Sequence, residues 1–464
     1  MQRLPLSSRA SRLKATTFHR RTLWQCATYT SPSPASLLER VEQKIAEAPS
    51  DVTLFALSKN VPQQLVDDFR RVLSSSSSKG TTIGCLSEVL PTNSSPSSAE
   101  AETFSIAIAQ HRPAHSSERT IAFRSTLLGR PNIALGREIK PEYQADHDQV
   151  DSGLEAFLKG GSWGFGEQTP EQKSSQHEIE ELKGEDSSSI RELVVFTADR
   201  IQPFLAALSR FSSASTVGMV GSSTPFHTRD GSAYSLFYGD EKVATGAVGV
   251  AVLDSAASAS MMPLKLQYGS LAPVGDAHEV TSSQGNIVLT LSGQNAARLL
   301  LNAVNDLFGT SAANLPAAQR THEKEKEFYA AVYASKPDFP LDLSQARLVA
   351  KIMAGDPSRG AMSVETEEEV KKGSYVVFLH QPDVDATAAA RPAEKRQLAF
   401  LSVPPSDVMP HFAASECPSK GEVSSEEYFL AASENGVVIA PGQIEGRRPP
   451  PRVCSIEGTV TALQ

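Results

Sequence analysis

The chain has 464 residues, 40% of them hydrophobic, and a formal net charge of -9. A chain of this length usually folds into two to three domains, and its apolar content is enough for large buried cores. No window approaches the roughly 20 consecutive apolar residues of a membrane-spanning helix. The four cysteines are scattered and form no C-x-x-C pair. This argues against a disulfide framework or a cysteine zinc site and suits a reducing compartment.

Charge is distributed unevenly along the chain. Residues 1–38 contain six basic residues, no acidic residue, and many serines and threonines. This composition predicts a disordered mitochondrial transit peptide over residues 1–35 and a location in the mitochondrial matrix, with an ordinary basic tail as the alternative. The remainder holds 38 basic against 53 acidic residues. We therefore expect no nucleic-acid binding, which needs clustered positive charge.

The first folded segment recurs later in the chain. The pattern predicts a buried strand at 52–57, a helix opened by Pro62, and a strand at 81–85. A second set of the same elements is predicted at 193–196, 201–211 and 216–220. An internal duplication is the simplest interpretation, and a chance likeness of two common β-α-β units is the alternative.

Each copy ends in a turn rich in small residues. Exposed backbone N–H groups in such a turn can hold a carboxylate or a phosphate, although sheet geometry alone also explains single glycines there. We expect the two turns to face each other across a ligand cleft. The candidate ligand-binding residues are Gly84, Cys85 and Ser87 in the first copy, and Gly218, Gly221, Ser222 and Ser223 in the second.

Three further segments carry predictions. Residues 140–189 are rich in acidic and polar residues and are predicted to be a flexible, solvated insertion that offers a surface to a protein partner. Residues 233–253 alternate as in a β-hairpin, with its turn at Gly239-Asp240. Residues 316–334 are predicted to form a charged helix.

The stretch from Tyr268 to Leu300 is the most distinctive in the chain. It combines a glycine turn, a P-x-G corner, a V-T pair and the run G-N-I-V-L-x-L-x-G-x-x-A, and Asn295 is a plausible cap for the helix that follows. This pattern, with the earlier run G-A-V-G-V-A-V, resembles the signature of FIST-domain proteins, named for F-box and intracellular signal transduction proteins. The resemblance gives structural roles to Gly246, Gly249, Gly269, Pro273, Gly275, Gly285, Asn286 and Gly293.

The resemblance implies an α/β protein with mixed α+β sheets and two modules. A FIST N-like module would span residues 36–255 and contain the insertion, and a FIST C-like module would span residues 256–464. It further implies a sensory module for signal transduction that binds a small molecule, with amino-acid-like ligands as the usual family suggestion. Neither an attached output domain nor an F-box segment is recognisable, which puts a ubiquitin-ligase adaptor role in doubt.

Three alternatives stay open. A mitochondrial enzyme would need converging polar groups such as Cys85, Ser222, His227 and Asp230, but these lack a recognised relay spacing and no catalytic residue is assigned. A protein-interaction scaffold would use the acidic insertion. Some FIST sensors resemble haem-binding nitric-oxide receptors, so haem is also considered, although no axial histidine can be matched. The phosphate-binding loop, zinc-protease and EF-hand motifs are absent, and we assign no metal ligand.

Overall fold

The computed structural model describes residues 23–46, 50–75, 80–91, 103–113, 115–127, 179–199, 201–225, 233–254, 264–308, 327–356, 360–366, 369–382, 395–406, 417–440 and 451–463. Within them the chain is a mixed α/β protein, with four helices and many strands in mixed sheets, as its sequence predicts. None of the described helices combines the length and the apolar composition needed to cross a bilayer.

The elements before residue 260 are, in chain order, β1 (Leu23–Ser31), α1 (Pro34–Ala46), β2 (Val52–Ser58), α2 (Gln63–Ser75), β3 (Thr81–Ser87), β4 (Phe104–Arg112), β5 (Glu118–Ser125), β6 (Ile190–Thr197), α3 (Gln202–Leu208), β7 (Ser215–Val220), β8 (Leu236–Tyr238), β9 (Glu241–Val243) and β10 (Ala247–Asp254).

The later elements are β11 (Leu264–Gln267), β12 (Ala272–Gln284), β13 (Ile287–Leu291), β14 (Gln294–Asn295), α4 (Ala296–Phe308), β15 (Phe328–Tyr333), β16 (Leu348–Asp356), β17 (Ala361–Val364), β18 (Tyr375–His380), β19 (Leu398–Ser402), β20 (Ser424–Glu426), β21 (Phe429–Ser433), β22 (Val437–Ile439), β23 (Arg452–Cys454) and β24 (Val460–Leu463). Short 3-10 helices at Glu180–Leu182 and Leu343–Gln345 complete the set.

Three sheets repeat one strand topology. In the first repeat (β1, β2, β3, β4) the spatial order is first, fourth, second and third strand. The second repeat (β5, β6, β7, β10) and the third (β11, β19, β21, β24) have the same order. In all three, the second and third strands are parallel and the other pairings are antiparallel. The strand pairings thus support the predicted duplication and add a third copy.

The repeats exchange segments in a cycle. The chain continues from β7, the third strand of the second repeat, into β8, which pairs with β3 of the first repeat. In the same way, β22 follows β21, the third strand of the third repeat, and pairs with β7 of the second repeat. The first repeat completes the cycle with Glu88, which forms a single antiparallel bridge with Ala432 in β21. The three repeats are therefore related as if around a threefold axis, and each depends on a neighbour to complete its sheet.

The inner faces of the three sheets share one hydrophobic core. Phe196 of the second repeat meets Phe400 of the third edge to face, with ring centroids 6.0 Å apart. The outer faces are covered by helices whose apolar residues recur every three or four positions. Leu37 and Val41 of α1 and Phe69 of α2 pack on the first sheet, and Phe204 of α3 packs on the second.

Six of the other strands form a closed barrel inserted into the third repeat. Its antiparallel order is β12, β18, β15, β16, β17 and β13, and β13 pairs back to β12. β11 precedes the barrel, and β19, β21 and β24 follow it. Strand pairs also cross the predicted module boundary at 255/256, since β20 pairs with β1 and β22 pairs with β7. The body consists of the three repeats with their exchanged strands, and the barrel is an insertion within it.

Several predicted segments differ from the structure. Residues 23–35 do not belong to a disordered leader: β1 pairs along its whole length with β4, and Trp24 and Tyr29 are buried. Residues 328–333 form strand β15 instead of the end of a helix, because their backbone pairs with β16 on one side and with β18 on the other. The predicted hairpin at 233–253 splits, since β8 pairs with β9 while β10 joins β5 and β6.

The last part of the predicted acidic insertion is ordered as well. Ile179 and Leu182 are buried in the core of the second repeat, and the Glu181 carboxylate accepts a hydrogen bond from the Arg124 backbone N–H on edge strand β5. Residues 140–178 of this insertion, with the aromatic island at Trp163, lie outside the described residues.

The signature residues sit at positions with a steric or turn requirement. A side chain at Gly249 would collide with Val194 and Phe123, and one at Gly269 would collide with the Glu457 carbonyl. Gly246, Gly275, Gly285 and Gly293 have positive φ angles, which glycine adopts without strain. Pro273 lies in β12, and the Asn286 side chain donates to the Val364 carbonyl. Asn295 caps α4 as predicted, accepting a hydrogen bond from the Arg298 N–H at 2.8 Å.

Candidate functional site

The parallel strand pairs of the three repeats end at one place. In open α/β sheets, ligands bind outside the carboxyl ends of parallel strands. Here Ser58 pairs with Ser87, Thr197 with Val220, and Ser402 with Ser433 at those ends. We call the region just beyond them the junction, formed by residues 58–60 and 87–88 of the first repeat, 221–223 of the second, and 402–406 and 433–435 of the third.

Gly84 and Gly218 do not form the predicted turns. Each lies inside the third strand of its repeat, opposite Phe55 and Val195 respectively. A β-carbon at Gly84 would be 2.4 Å from the Phe55 ring, and one at Gly218 would be 1.9 Å from the Val195 carbonyl oxygen. These glycines let neighbouring strands approach closely, and they are too deep in the sheets to contact a ligand.

The predicted residues that follow these glycines do come together. The Ser222 N–H donates to the Leu86 carbonyl at 3.0 Å, which joins the end of β7 to the end of β3. A β-carbon at Gly221 would be 3.7 Å from that of Cys85. The two copies therefore contact each other directly at the junction, through Gly221 and Ser222 and not through Gly218, and the ligand cleft between them stays a prediction.

Cys85 is not suited to act as a nucleophile. Its side chain is fully buried on the inner face of β3. Burial raises the pKa of the thiol strongly, and the nearby Glu434 carboxylate raises it further. The thiol therefore stays protonated at neutral pH, and the residue serves as a small apolar group in the core.

Ser222 and Ser223 hold a carboxylate of the third repeat. The Ser222 hydroxyl donates to Glu434 Oε2 at 2.7 Å, and the Ser223 N–H donates to Glu434 Oε1 at 2.7 Å. The Asn435 side-chain amide donates to the Gly221 carbonyl and to Glu434 Oε1, both at 3.0 Å. Glu434 is only partly exposed, so a network of polar groups ties the third repeat to the second.

A second carboxylate lies on the first-repeat side of the junction. Glu88 is almost completely buried, and its Oε2 atom forms an ion pair with the Lys59 ammonium at 2.6 Å. The Ser406 hydroxyl donates to Oε1 at 2.6 Å and the Val89 N–H donates to it at 2.9 Å. Lys59 also donates to the Ser406 carbonyl at 3.3 Å. The hydrogen bonds to Ser406 join this ion pair of the first repeat to the third repeat.

Small hydroxyl residues line the inner side of the junction. Ser58, Ser87, Ser402 and Ser433 are buried there, on the faces of their strands that point into the shared core. The Ser433 hydroxyl donates to the Val220 carbonyl at 2.6 Å. Among the described residues, the buried Ser402 hydroxyl has no hydrogen-bond partner.

The sequence patterns do not indicate the three charged residues of the junction, Lys59, Glu88 and Glu434. One signal was available, because Ser87-Glu88 and Ser433-Glu434 repeat the same dipeptide directly at the end of a strand. The helix that separates the second and third strands in the first two repeats has no described counterpart between β19 and β21. The strand-helix-strand pattern that identifies the first two repeats in the sequence is therefore not recognisable in the third.

The histidines contribute no described cluster of ligands. His227 and Asp230, two of the polar groups considered for an enzyme, lie outside the described residues. His278 is on β12, where burial lowers its pKa. His111 is buried on β4, 3.5 Å from Glu118, and His115 is 3.8 Å from Asp254. In the part of the chain that the structure describes, no three His, Cys, Asp or Glu residues are grouped as metal ligands would be.

Comparison with protein-family models gives no match to this chain, and comparison with curated proteins gives none either.

Proposed function

We propose that the protein is a small-ligand-binding sensory module of the FIST type and that its ligand binds at the junction. The observation that carries this proposal is that three repeats deliver charged and hydroxyl groups to the shared carboxyl end of their parallel strands. Such ends are the usual ligand sites of α/β sheets, and a few converging polar groups fix a small ligand's orientation. The sequence resemblance to FIST proteins points to the same class of function.

The contacts at the junction suggest how binding would be transmitted. Glu434 links the third repeat to the second through Ser222, and Glu88 links the first repeat to the third through Ser406. A ligand that exchanges hydrogen bonds with these groups interacts differently with each arrangement of the repeats. It therefore shifts the population of those arrangements, which is what a sensory module requires.

The test is hydrogen exchange on the full chain, with and without small metabolites that include amino acids. A ligand that raises the melting temperature should also slow exchange at residues 58–60, 86–89, 220–223 and 432–435. Ser222→Ala should weaken this protection, whereas Ser344→Ala, in an exposed turn of the barrel, should not change it. Protection confined to other surfaces, or no stabilising ligand at all, would refute the proposal.

We also propose that the protein is imported into the mitochondrial matrix. The basic residues that support this proposal all precede β1, which begins at Leu23. Because β1 lies between β4 and β20 in its sheet, processing should occur before Leu23. Import into isolated mitochondria, followed by sequencing of the mature amino terminus, tests this. Failure of import, or an unprocessed terminus, would contradict it.

A further inference from the structure

The first and third repeats place a glutamate at the same position of the junction. Ser58 pairs with Ser87, and Ser402 pairs with Ser433, so Glu88 and Glu434 each follow the last paired residue of a third strand. The residues after the second strands also correspond. The Lys59 N–H donates to the Ser87 carbonyl at 2.8 Å, and the Val403 N–H donates to the Ser433 carbonyl at 3.0 Å.

The two repeats differ in what neutralises the glutamate. In the first repeat, the Lys59 ammonium occupies the position beside Glu88, at 2.6 Å from Oε2. In the third repeat, the corresponding residue is Val403, which cannot supply a charge. Among the described residues, no lysine or arginine pairs with Glu434; its hydrogen-bond donors are a hydroxyl, a backbone N–H and an amide.

Glu434 retains the capacity to bind a cation. A carboxylate has about four acceptor positions, and three are occupied by the donors described above. Glu434 is partly exposed, unlike Glu88, so solvent reaches it. The Ser402 hydroxyl, which directly precedes Val403, is fully buried and without a hydrogen-bond partner among the described residues, so it offers a second polar group on the inner side.

We propose that Glu434 binds a primary ammonium group supplied from outside the chain, in the place that the Lys59 side chain fills in the first repeat. The ligand would be a primary alkylamine or the lysine side chain of another protein, since both present the same group on a flexible apolar stem. This inference rests on the proposed function, because it names the chemistry of a ligand at that same junction.

The test compares four probes with the full chain by isothermal titration calorimetry. Pentylamine and the blocked lysine N-acetyl-lysine methylamide carry the ammonium group, and pentanol and the side-chain-acetylated lysine are their uncharged controls. Glu434→Gln should weaken binding of the ammonium probes by about tenfold or more, because a hydrogen bond to a charged group is lost. The uncharged probes should bind far more weakly to every variant.

A pair of substitutions at Val403 sharpens the test without removing the carboxylate. Val403→Lys should place an internal ammonium beside Glu434, as Lys59 does beside Glu88, and abolish binding of the ammonium probes. Val403→Ala introduces no charge and leaves that place open, so it should retain binding. Melting curves of both variants verify that they fold.

The outcomes separate this inference from the proposed function. Binding of either ammonium probe that is lost in Glu434→Gln and Val403→Lys supports it, and the probe that binds more tightly identifies a free amine or a lysine side chain as the source. Equal binding to wild type and Glu434→Gln overturns it. If metabolites without an ammonium group protect the junction while amines do not, the inference fails and the proposed function stands. If nothing binds there, both fail.

Discussion

Glu88 and Glu434 occupy corresponding positions in two repeats of one chain, but their surroundings differ. Glu88 is buried, and an internal lysine neutralises it. Glu434 is partly exposed and is held by neutral donors from the second repeat. The first-repeat side of the junction therefore resembles a closed structural ion pair, while the third-repeat side retains a carboxylate open to solvent. The two repeats share the backbone hydrogen bonds from Lys59 to Ser87 and from Val403 to Ser433, and they differ in the side chain that this residue places beside the glutamate.

The largest expected effect on stability comes from breaking the buried ion pair between Lys59 and Glu88. Lys59→Met leaves the Glu88 carboxylate buried without its cation, and we expect a loss of about 3–5 kcal/mol in the free energy of unfolding. Glu88→Gln should cost a similar amount, because it leaves the Lys59 ammonium buried without a counter-ion. Urea denaturation measures both. Arg71→Met, which removes an exposed ion pair with Asp68, is the matched control and should cost less than about 1 kcal/mol.

The glycines inside the third strands test whether the repeats are equivalent in packing. Gly218→Ala would place a β-carbon 1.9 Å from the Val195 carbonyl, and overpacking of this kind typically costs about 1–3 kcal/mol. Gly84→Ala would place a β-carbon 2.4 Å from both the Phe55 ring and the Phe55 carbonyl oxygen. Its backbone contact is less severe than the one at Gly218, so its cost should be smaller. Equal and negligible losses in urea denaturation would contradict the close strand approach described for both repeats.

A smaller effect is expected on the open side. Glu434→Gln keeps an oxygen that accepts one of the bonds from Ser222 and Ser223, so we expect a loss of only about 0.5–1.5 kcal/mol in the free energy of unfolding. The comparison with Glu88→Gln under identical conditions is decisive. If both substitutions destabilised the protein equally, Glu434 would have a buried structural role like that of Glu88, and the two sides of the junction would not differ.

The smallest effect concerns a third carboxylate, where the barrel meets the third repeat. Burial raises the pKa of Glu457, and the nearby Glu327 carboxylate raises it further, while Lys351 opposes the shift. The folded state therefore holds this proton more tightly than the unfolded state does. The resulting stability is present below the ordinary carboxyl pKa and is lost as pH rises through the raised value.

Glu457→Gln should remove that part of the pH dependence. Because the group is partly exposed, solvent screening keeps the effect below about 1 kcal/mol. Melting temperatures of wild type and variant across the acidic to neutral range measure it, and the wild type should lose more stability than the variant as pH rises. Parallel curves would show that Glu457 titrates alike in the folded and unfolded states.

Short-range sequence patterns predict the local elements and the likeness of the first two repeats. Buried strands at 52–57 and 193–196, the amphipathic helices beside them and the Asn295 cap follow from residue periodicity and side-chain chemistry within short windows. For the same reason, the sequence predicts a helix where β15 forms: the pairing partners of this strand, β16 and β18, lie outside its own window.

The way in which the repeats combine depends on contacts between segments that are far apart in the sequence. The third repeat is interrupted by the barrel, and its parallel pair has no described helix between its strands, so no local period marks it. The exchange of β8 and β22 between sheets depends on contacts far apart in sequence. The junction has the same origin, because Glu88 and Ser406, like Ser222 and Glu434, belong to different repeats and become neighbours only when those repeats close on one another.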